Sequence, residues 1–457
     1  MTMAKILIKD GLLVDTEWKR HQDILVDGSK IVRIAPHIDE NEIGEDVNII
    51  SADGLCVLPG LIDAHTHYHL VSRGTVTADS FPEGSRLASF GGVTTVVDFA
   101  DDDKKSLLGS FDNRRKEMRG MAIDYALHQG VYAYRSDIKK ELEEVKKKGI
   151  GTIKIFTTYK NVGYLVEKRD ELKAIFKASK ELGIMVSIHC EDDGMIARIE
   201  DGWKGTYLPK DHADMRPSEA EAEAIRYVSS IAEELDMPIY IVHLSSASGL
   251  EEVRRQRSRG VHLIVETTPH YLFLERSKLE GDDGPLYVMT PPLRTKDDNE
   301  ALQEALLDGE IQVVATDHCS FTREQKLSSH DCRTIYPGIP GTEEMLPLLN
   351  TFAISSGRLS LSQIVNLTST GPAKAFGLYP AKGTLAEGSD ADIVLFNPDL
   401  SWTIGSDTIH SAAGYSAYEG MTVTGKVMMT ILRGRIIMGD GIYLGLEGDG
   451  QYLKAER

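Results

Sequence analysis

The sequence is poor in cysteine and contains no cysteine-rich motif. Its four cysteines, Cys56, Cys190, Cys319 and Cys332, are too few and too widely spaced for a disulfide framework, and no CxxC pair occurs. No apolar stretch is long enough to span a membrane, and the first residues contain no apolar signal-peptide core. We therefore expect a cytoplasmic protein with reduced thiols and no membrane partner.

Positive charge is scarce relative to negative charge. The chain carries 51 Lys and Arg against 70 Asp and Glu, a net charge of −19. Nucleic acids and anionic membranes select basic surfaces, so neither is expected as a partner. Repeats of solenoid period and low-complexity linkers are also missing. With 457 residues, 41% of them hydrophobic, the chain is long enough for one large barrel domain and a smaller domain.

Short apolar runs alternate with helical segments through the middle of the chain. Apolar spacing predicts a helix over 171–182 that ends at Gly183, and Ser218 with Glu221 predicts a capping box that opens a helix over 219–235. About eight runs occur, which is the strand count of a (β/α)₈ barrel. These runs are 57–62, 94–99, 124–131, 152–156, 185–188, 239–242, 262–265 and 311–315.

The two ends of the chain have a different pattern, in which strand-like runs alternate with turns such as Asp27-Gly28 and Asp53-Gly54. We expect them to pair into one small β-sandwich. The predicted fold is therefore α/β, with a TIM-like (β/α)₈ barrel over 57–383. The sandwich would be formed by 1–56 and 384–457, with a tail over the last residues.

The most informative local motif is a His-x-His pair after the first apolar run. Residues i and i+2 of a strand share one face, so the rings of His65 and His67 can converge on one metal ion. TIM-barrel sites lie at the C-terminal ends of the strands. More residues of metal-binding type fall in or just after later runs, namely Lys154, His189, His243 and Asp317. Four imidazoles and a carboxylate suit two divalent ions if a bridging ligand is available.

Lys154 could supply that bridge. An ammonium inside an apolar strand is costly, and burial near cations lowers its pKa and frees the amine. A free amine can take up CO₂ and become a carbamate, which binds metals as a carboxylate does. Taken alone, Lys154 would more often be a strand lysine that reaches solvent.

Segments along nearly the whole chain resemble the hydantoinase/dihydropyrimidinase branch of the amidohydrolase superfamily. The resemblance is closest to bacterial D-hydantoinases, including the phenylhydantoinase type. The segments are HTH at 65–67, TIKIFTTY at 152–159, IHCEDD at 188–193, YIVHLSS at 240–246, ETTPHYL at 266–272, YVMTPPLR at 287–294, VVATDHCSF at 313–321 and GTLAEGSDADIVLF at 383–396.

This resemblance implies a centre with two divalent metal ions, with Zn²⁺ expected. His65, His67 and Asp317 would hold the first ion. His189 and His243 would hold the second, and N6-carboxylated Lys154 would bridge both. The resemblance also implies a homotetramer that acts on a small cyclic amide.

The implied reaction is hydrolytic ring opening of 5-substituted hydantoins or dihydropyrimidines to N-carbamoyl amino acids. Tyr159 would stabilise the oxyanion, and Asp317 would carry a proton from the attacking water to the leaving ring nitrogen. The backbone of Thr290 would help to hold the cyclic amide. Members typically carry Pro-Asn-Gly where this chain has Tyr336-Pro337-Gly338, so Pro337 removes an N–H and an amide side chain but keeps its carbonyl.

Other functions remain open at this stage. Allantoinase, cyclic imidase and linear-amide hydrolysis use the same chemistry, and a non-catalytic scaffold is a remote alternative. We expect the substituent of the substrate to contact Tyr68, Leu70, Phe156 or the region 101–106. We expect packing or supporting roles for His318, Cys190 and Cys319, and also for His128 and His270, for which metal ligation is the lesser alternative. His69 is expected to be a loop or pocket-lining residue. The acidic residues 191–193 have two interpretations, support of the site by hydrogen bonding or a solvated turn.

Overall fold

The computed structural model describes residues 5–44 and 46–456. The first four residues of the predicted N-terminal unit and the last residue of the predicted tail therefore lie outside the described residues. At the centre is an eight-stranded parallel sheet in which each strand pairs with the next along the chain. Barrel strands one to eight are Leu61–Thr66, Val93–Ala100, Asp124–Gly130, Thr152–Phe156, Met185–His189, Ile239–Ile241, Leu263–Thr267 and Val313–Val314.

The first and eighth strands approach each other through side chains and one bridge between Thr66 and His318. Buried Asp63 on strand one accepts hydrogen bonds from the backbone N–H of Thr316 at 3.0 Å and from the hydroxyl of Thr342 at 3.0 Å. These hydrogen bonds connect strand one to the segment that follows strand eight and so join the two edges of the sheet. The expected TIM-like barrel is confirmed.

Helices fill the connections between barrel strands and continue after strand eight. Among the described residues, every helix is too short or too polar to cross a lipid bilayer. In chain order the α-helices are Phe81–Phe90, Leu107–Glu117, Ile138–Lys147, Arg169–Leu182, Asp193–Gly202, His212–Met215, Ser218–Leu235, Ala247–Ser258, Pro269–Phe273, Lys296–Leu307, Arg323–Leu327, Met345–Ser356, Leu361–Val365 and Gly371–Phe376.

One predicted helix end is confirmed, and one predicted capping box is wrong although its helix forms over Ser218–Leu235. Arg169–Leu182 ends at Gly183, whose φ of 64° is the left-handed conformation that favours glycine. Ser218, however, forms no capping box, because Pro217 occupies the cap position. Glu221 instead turns inward and accepts hydrogen bonds from the N–H and hydroxyl of Ser245, both at 2.9 Å. It thereby holds the loop that follows barrel strand six.

The chain ends form two further sheets, of which the first comes from the N-terminal part alone and the second contains strands from both ends. A four-stranded sheet consists of Lys5–Lys9, Asp23–Asp27, Lys30–Ala35 and Val47–Ser51. A seven-stranded sheet consists of Leu12–Val14, Lys19–His21, Cys56–Pro59, Ile393–Thr403, Thr422–Leu432, Arg435–Gly439 and Ile442–Tyr443. Apolar residues from both sheets, such as Ile8, Ile24, Val57 and Ile431, form one common core, so the arrangement is a sandwich.

The predicted run 57–62 is divided between the sandwich and the barrel. Cys56–Pro59 pairs antiparallel with the beginning of Ile393–Thr403, and Leu61–Thr66 starts the barrel. Gly60 separates them at a close approach, where a Cβ would clash with the Thr94 hydroxyl. Strand pairing therefore favours a first boundary at Gly60 over 56/57, and the division of the chain into units remains a prediction.

The last residues dock on the N-terminal end of the barrel. The backbone of Tyr125 donates to the carbonyl of Gln451 at 2.9 Å and accepts from Leu453 at 2.8 Å. Below them, the buried ammonium of Lys382 lies 2.6 Å from both Asp124 and Asp392. The tail and an ion-pair cluster thus close the end of the barrel that lies away from the predicted site.

Candidate metal centre

Three of the predicted ligands converge at the C-terminal end of the barrel. Nε2 of His65 and Nε2 of His67 each lie 3.2 Å from the same carboxylate oxygen of Asp317. His65 lies in barrel strand one and His67 directly follows it, and Asp317 follows strand eight. Their nitrogen and oxygen atoms lie within 4.8 Å of one another, a spacing that one metal ion can span.

The predicted ligands of the second ion also meet. Nδ1 of His189, at the end of strand five, lies 2.9 Å from Nε2 of His243, just after strand six. The ring of His65 is 5.4 Å from that of His243, so the two groups of ligands adjoin. Two ring nitrogens that face each other this closely fit a pair of ligands for one ion.

Lys154 lines the same cavity as both groups and is almost fully buried. Its Nζ is 5.4 Å from the ring centroid of Phe99 and 5.2 Å from that of Phe156. Among the described residues it forms no ion pair. Burial lowers the pKa of the Lys154 amine to about 8, which increases the fraction of free amine at neutral pH. The residues present therefore fit a binuclear centre with a lysine between the ions.

The ring nitrogens are available as ligands because the site is dry. Burial lowers the pKa of both His65 and His243 well below the usual value, so these rings are neutral at pH 7. Burial alone would raise the pKa of Asp317, but the adjoining histidines hold it well below its usual range. Neutral imidazoles and an ionised carboxylate are the forms that bind metal.

Glu266 supports the first group of ligands from behind. Its Oε1 lies 2.8 Å from Nδ1 of His65 and accepts the backbone N–H of His243 at 3.0 Å. The Tyr240 hydroxyl donates to the other oxygen at 2.7 Å. A carboxylate behind a ligating histidine fixes the ring orientation and raises its basicity. Glu266 is not among the predicted site residues, although it directly follows the run 262–265.

Glu191 has the same role behind the second group, which was one of the two interpretations of residues 191–193. Its Oε2 lies 2.7 Å from Nε2 of His189 and 2.6 Å from a guanidinium nitrogen of Arg216. Burial alone would raise the pKa of Glu191, but Arg216 and His189 hold it well below its usual range. Arg216 also lies 5.3 Å from the ring centroid of Tyr159, so one guanidinium links ligand support to the predicted oxyanion residue.

Three residues of the site have left-handed backbone conformations that are uncommon outside glycine. Tyr159 has a φ of 68°, His243 of 38° and Asp317 of 50°. Such conformations cost free energy and persist where the surrounding structure requires them, often at active sites. Each of these residues follows a barrel strand, and the sharp turn directs its side chain toward the common cavity.

A cavity of about 300 Å³ contains all the predicted ligands, and Tyr159, Thr290 and Pro337 also line it. Leu70, Phe156 and Asp101 are in its wall, as predicted for substituent contacts. The prediction for Tyr68 is wrong. That ring is buried beneath the site, where its hydroxyl donates to Thr342 at 3.2 Å.

The segments that carry Thr290 and Pro337 are tied together by buried Lys326. Its ammonium donates to the carbonyls of Val288, Tyr336 and Gly338 at 2.6, 2.8 and 2.9 Å. Three carbonyl oxygens match the three N–H donors of an ammonium group. Lys326 therefore sets the relative position of the two predicted substrate-binding residues. No local sequence motif predicts this role.

The other histidines behave largely as expected. His318 points away from the ligands and lies 3.0 Å from Asp79, and His128 lies 3.0 Å from the carbonyl of Ala64. His69 packs on the ring of Phe81 outside the cavity wall. His270 differs, because it lines the cavity and both of its ring nitrogens lack a hydrogen-bond partner within the described chain. Cys190 and Cys319 are buried, and burial raises the pKa of both thiols, which disfavours nucleophilic roles.

A second group of carboxylates lies at the opposite end of the barrel. Asp124, Asp390 and Asp392 come within 4.8 Å of one another. Lys382 sits among them, however, at 2.6, 3.1 and 2.6 Å from the three carboxylates. The ammonium already supplies the positive charge, so we assign no metal there.

Comparison with known proteins agrees with this geometry. The model of the Amidohydrolase family matches residues 56–437. This chain belongs to the amidohydrolase family. A D-hydantoinase of Ralstonia pickettii is 38% identical over 99% of both chains. A dihydropyrimidinase of Arabidopsis thaliana is 34% identical over 99% of this chain and 86% of its own length.

Solved amidohydrolase structures share the whole architecture. The crystal structure of dihydropyrimidinase from Brevibacillus agri superposes with a TM-score of 0.94 at 36% identity, over 99% of this chain and 98% of that one. A D-hydantoinase from Thermus sp. gives a TM-score of 0.95 at 32% identity over 99% of both chains. The resemblance inferred from the motifs is confirmed at the level of the family and the fold.

Proposed function

We propose that this amidohydrolase opens the ring of a cyclic amide by hydrolysis, converting 5-substituted hydantoins or dihydropyrimidines to N-carbamoyl amino acids. The observation that carries the proposal is the convergence of all the predicted ligands in one cavity with Tyr159, Thr290 and Pro337. The relatives named D-hydantoinase and dihydropyrimidinase, which match over nearly the full chain, support it.

The ligand set supports a centre of two divalent ions, with zinc as the proposed metal. His65, His67 and Asp317 would hold one ion, and His189 and His243 the other. When bound, the ions would lower the pKa of a water molecule and polarise the substrate carbonyl. Lys154 would bridge as a carbamate, formed when its free amine attacks the carbon of CO₂ and loses a proton.

The chain's own residues would complete the reaction. Burial raises the pKa of Tyr159 to about 12, so its hydroxyl stays protonated at neutral pH and can donate to the developing oxyanion. Asp317, held ionised by its histidine neighbours, would accept a proton from the attacking water and deliver it to the leaving ring nitrogen.

Ring recognition would rely on backbone carbonyls. Thr290 and Pro337 both line the cavity, and Lys326 holds their segments in register. Pro337 has no N–H, so its backbone can only accept hydrogen bonds. It would therefore recognise the N–H of a ring amide.

Metal analysis of the purified protein, paired with ring-opening assays on 5-phenylhydantoin, dihydrouracil, allantoin and succinimide, tests the function. Two ions per chain with turnover of a hydantoin or dihydropyrimidine would support it. Turnover confined to allantoin or succinimide would contradict the proposed substrate class and assign that ring in its place. No bound metal, even after zinc and bicarbonate are supplied together, would reject the binuclear centre.

Two further features belong to the same proposal. A homotetramer is suggested by the family resemblance and is testable by sedimentation equilibrium. Cytoplasmic residence is supported by the four free cysteines, all buried and none paired. Cell fractionation would test the location.

A further inference from the structure

Three successive aspartates follow barrel strand two and have three different environments. Asp102 is buried, where it pairs with Arg135 and accepts the backbone N–H of Tyr132 at 3.0 Å. Asp103 is exposed and accepts the N–H of Lys105 at 2.8 Å. Asp101 alone lines the cavity of the metal centre. Asp102 and Asp103 therefore have structural roles that Asp101 does not share.

The carboxylate of Asp101 is only half engaged. Its Oδ1 accepts the hydroxyl of Tyr132 at 2.5 Å. Within the described chain, its Oδ2 accepts no hydrogen bond and the side chain forms no ion pair. Burial raises the pKa of Asp101, and the Tyr132 hydroxyl and the charge of Arg114 offset this rise only in part. The Tyr132 contact fixes its position, and the second oxygen remains free for a ligand.

Aromatic rings form the wall next to this carboxylate. The Tyr132 ring stacks on Tyr164 at 4.3 Å, and Phe156 lies 5.3 Å from Tyr164. Phe156 and Tyr164 both line the cavity. Aromatic faces attract cations as well as apolar groups, and a neighbouring carboxylate adds to the preference for a cation.

The other charged groups that face Asp101 do not neutralise it. Arg114 is held by Asp98 at 2.6 Å, and His67 faces Asp317. Lys154 is committed to the proposed centre. Arg73 also lines the cavity, but it is exposed and already donates to the carbonyls of Arg333 and Ile335. Asp101 is half-buried, and solvent screens it less than it screens the exposed Arg73, so Asp101 has the stronger local influence.

We propose that Asp101 makes this enzyme prefer cyclic amides whose ring substituent ends in a cation, such as an alkylammonium group, over neutral substituents of equal size. The preference rests on the proposed ring-opening function and names its substrate class. A cationic end would bind the free Asp101 oxygen against the rings of Phe156 and Tyr164. The apolar parts of the same wall would accept the methylene chain.

The test compares substrates that differ by one group. The ratio of kcat/KM is measured for 5-(3-aminopropyl)hydantoin against 5-butylhydantoin, in which a methyl replaces the ammonium. The aminobutyl and pentyl pair is measured in parallel to allow for reach. We expect the wild-type enzyme to favour the amine about 10- to 100-fold, because a charge-assisted hydrogen bond in a cavity is replaced by none. Asp101→Asn should lower this ratio about tenfold or more.

Two variants serve as controls. Asp103→Asn removes the same charge two residues away, outside the cavity, and should leave the ratio unchanged. Tyr132→Phe removes the group that positions Asp101 without changing the charge, and should lower the ratio less than Asp101→Asn does. Binding of the products, Nα-carbamoylornithine and N-carbamoylnorleucine, measured by calorimetry, gives a readout independent of turnover and should show the same order.

The outcomes separate the two proposals. Absence of turnover with every ring substrate would reject the proposed function. The role of Asp101 would then be tested by the calorimetric binding of the two carbamoyl amino acids alone. Turnover with equal use of amine and alkyl substrates would overturn the role of Asp101. So would an Asp101→Asn variant that slows both substrates equally, because that result assigns Asp101 to the support of the metal centre.

Discussion

Oε1 of Glu266 lies 2.8 Å from Nδ1 of His65, with both side chains buried. A hydrogen bond on Nδ1 leaves the lone pair of Nε2 free on the other side of the ring, where Asp317 lies. Glu266 thus makes His65 a ligand in the correct tautomer without touching the metal position itself.

Replacing Glu266 by glutamine should weaken metal binding about 10- to 100-fold, as loss of such supporting partners typically does. The amide keeps the size of the side chain but cannot take the ionised form that raises the basicity of His65. Burial raises the pKa of Glu266 to about 8, so the effect should be largest above that pH. Competition with a chelator, followed by metal analysis, measures the change. Glu310→Gln is the matched control, because Glu310 pairs with Arg254 at the surface. Unchanged metal affinity in Glu266→Gln would contradict the supporting role.

Tyr159→Phe should reduce kcat by about 10²–10³, the usual cost of removing one oxyanion donor. Metal content should stay at the wild-type level, since Tyr159 is not among the proposed ligands. The measurement is steady-state kinetics on the best ring substrate, with metal analysis of the same preparation. A near-normal kcat would remove the Tyr159 hydroxyl from the mechanism.

Lys382→Met should destabilise the fold by about 3–5 kcal/mol, because it leaves buried carboxylates without their cation. Denaturant unfolding at neutral pH measures this loss. Lys30→Met is the control. Lys30 also pairs with Asp390, at 2.8 Å, but is largely exposed, so its loss should cost about 0–1 kcal/mol.

The difference in free energy of unfolding between the wild type and Lys382→Met should depend on pH. Burial raises the pKa of Asp390, but Lys382 and Lys30 together lower it more, so the folded value lies below the usual one. Asp390 therefore contributes stability above its unfolded pKa of about 3.9 and loses it as the pH falls through the folded value. The difference in free energy of unfolding should become smaller in acid, where the carboxylates become protonated. A difference that widens in acid would show that the ion pairs are not its source.

The ligand positions were predictable because they depend on local periodicity and on the barrel. His65 and His67 share a strand face, and His189 ends an apolar run, so their direction follows from strand geometry. The N–H loss at Pro337 is likewise a property of the residue itself. The sandwich was predictable in outline, because alternating runs at both ends of the chain had no other partner.

Long-range contacts could not be predicted in this way. Arg216 and Lys326 reach their acceptors across loops, and no local pattern marks where those loops will meet. At Glu221 a local pattern predicted a contact that does not form. The Ser218–Glu221 spacing is that of a capping box, but the Glu221 carboxylate accepts the hydroxyls of Ser245 and Ser246 instead. Glu266 is intermediate, since a carboxylate inside a barrel strand is as unusual as Lys154 and is a signal of the same kind.

The pairing of Cys56–Pro59 with Ile393–Thr403 has a consequence for synthesis of the chain. About 330 residues separate the two strands, so at roughly 5–20 residues per second a ribosome needs about 20–70 s to make the partner. During that interval the early strands present an unpaired apolar edge, which can join another chain. The barrel can close in the meantime, but the sandwich must wait for nearly the whole polypeptide. Aggregation during expression should therefore be governed by the rate of translation across the barrel.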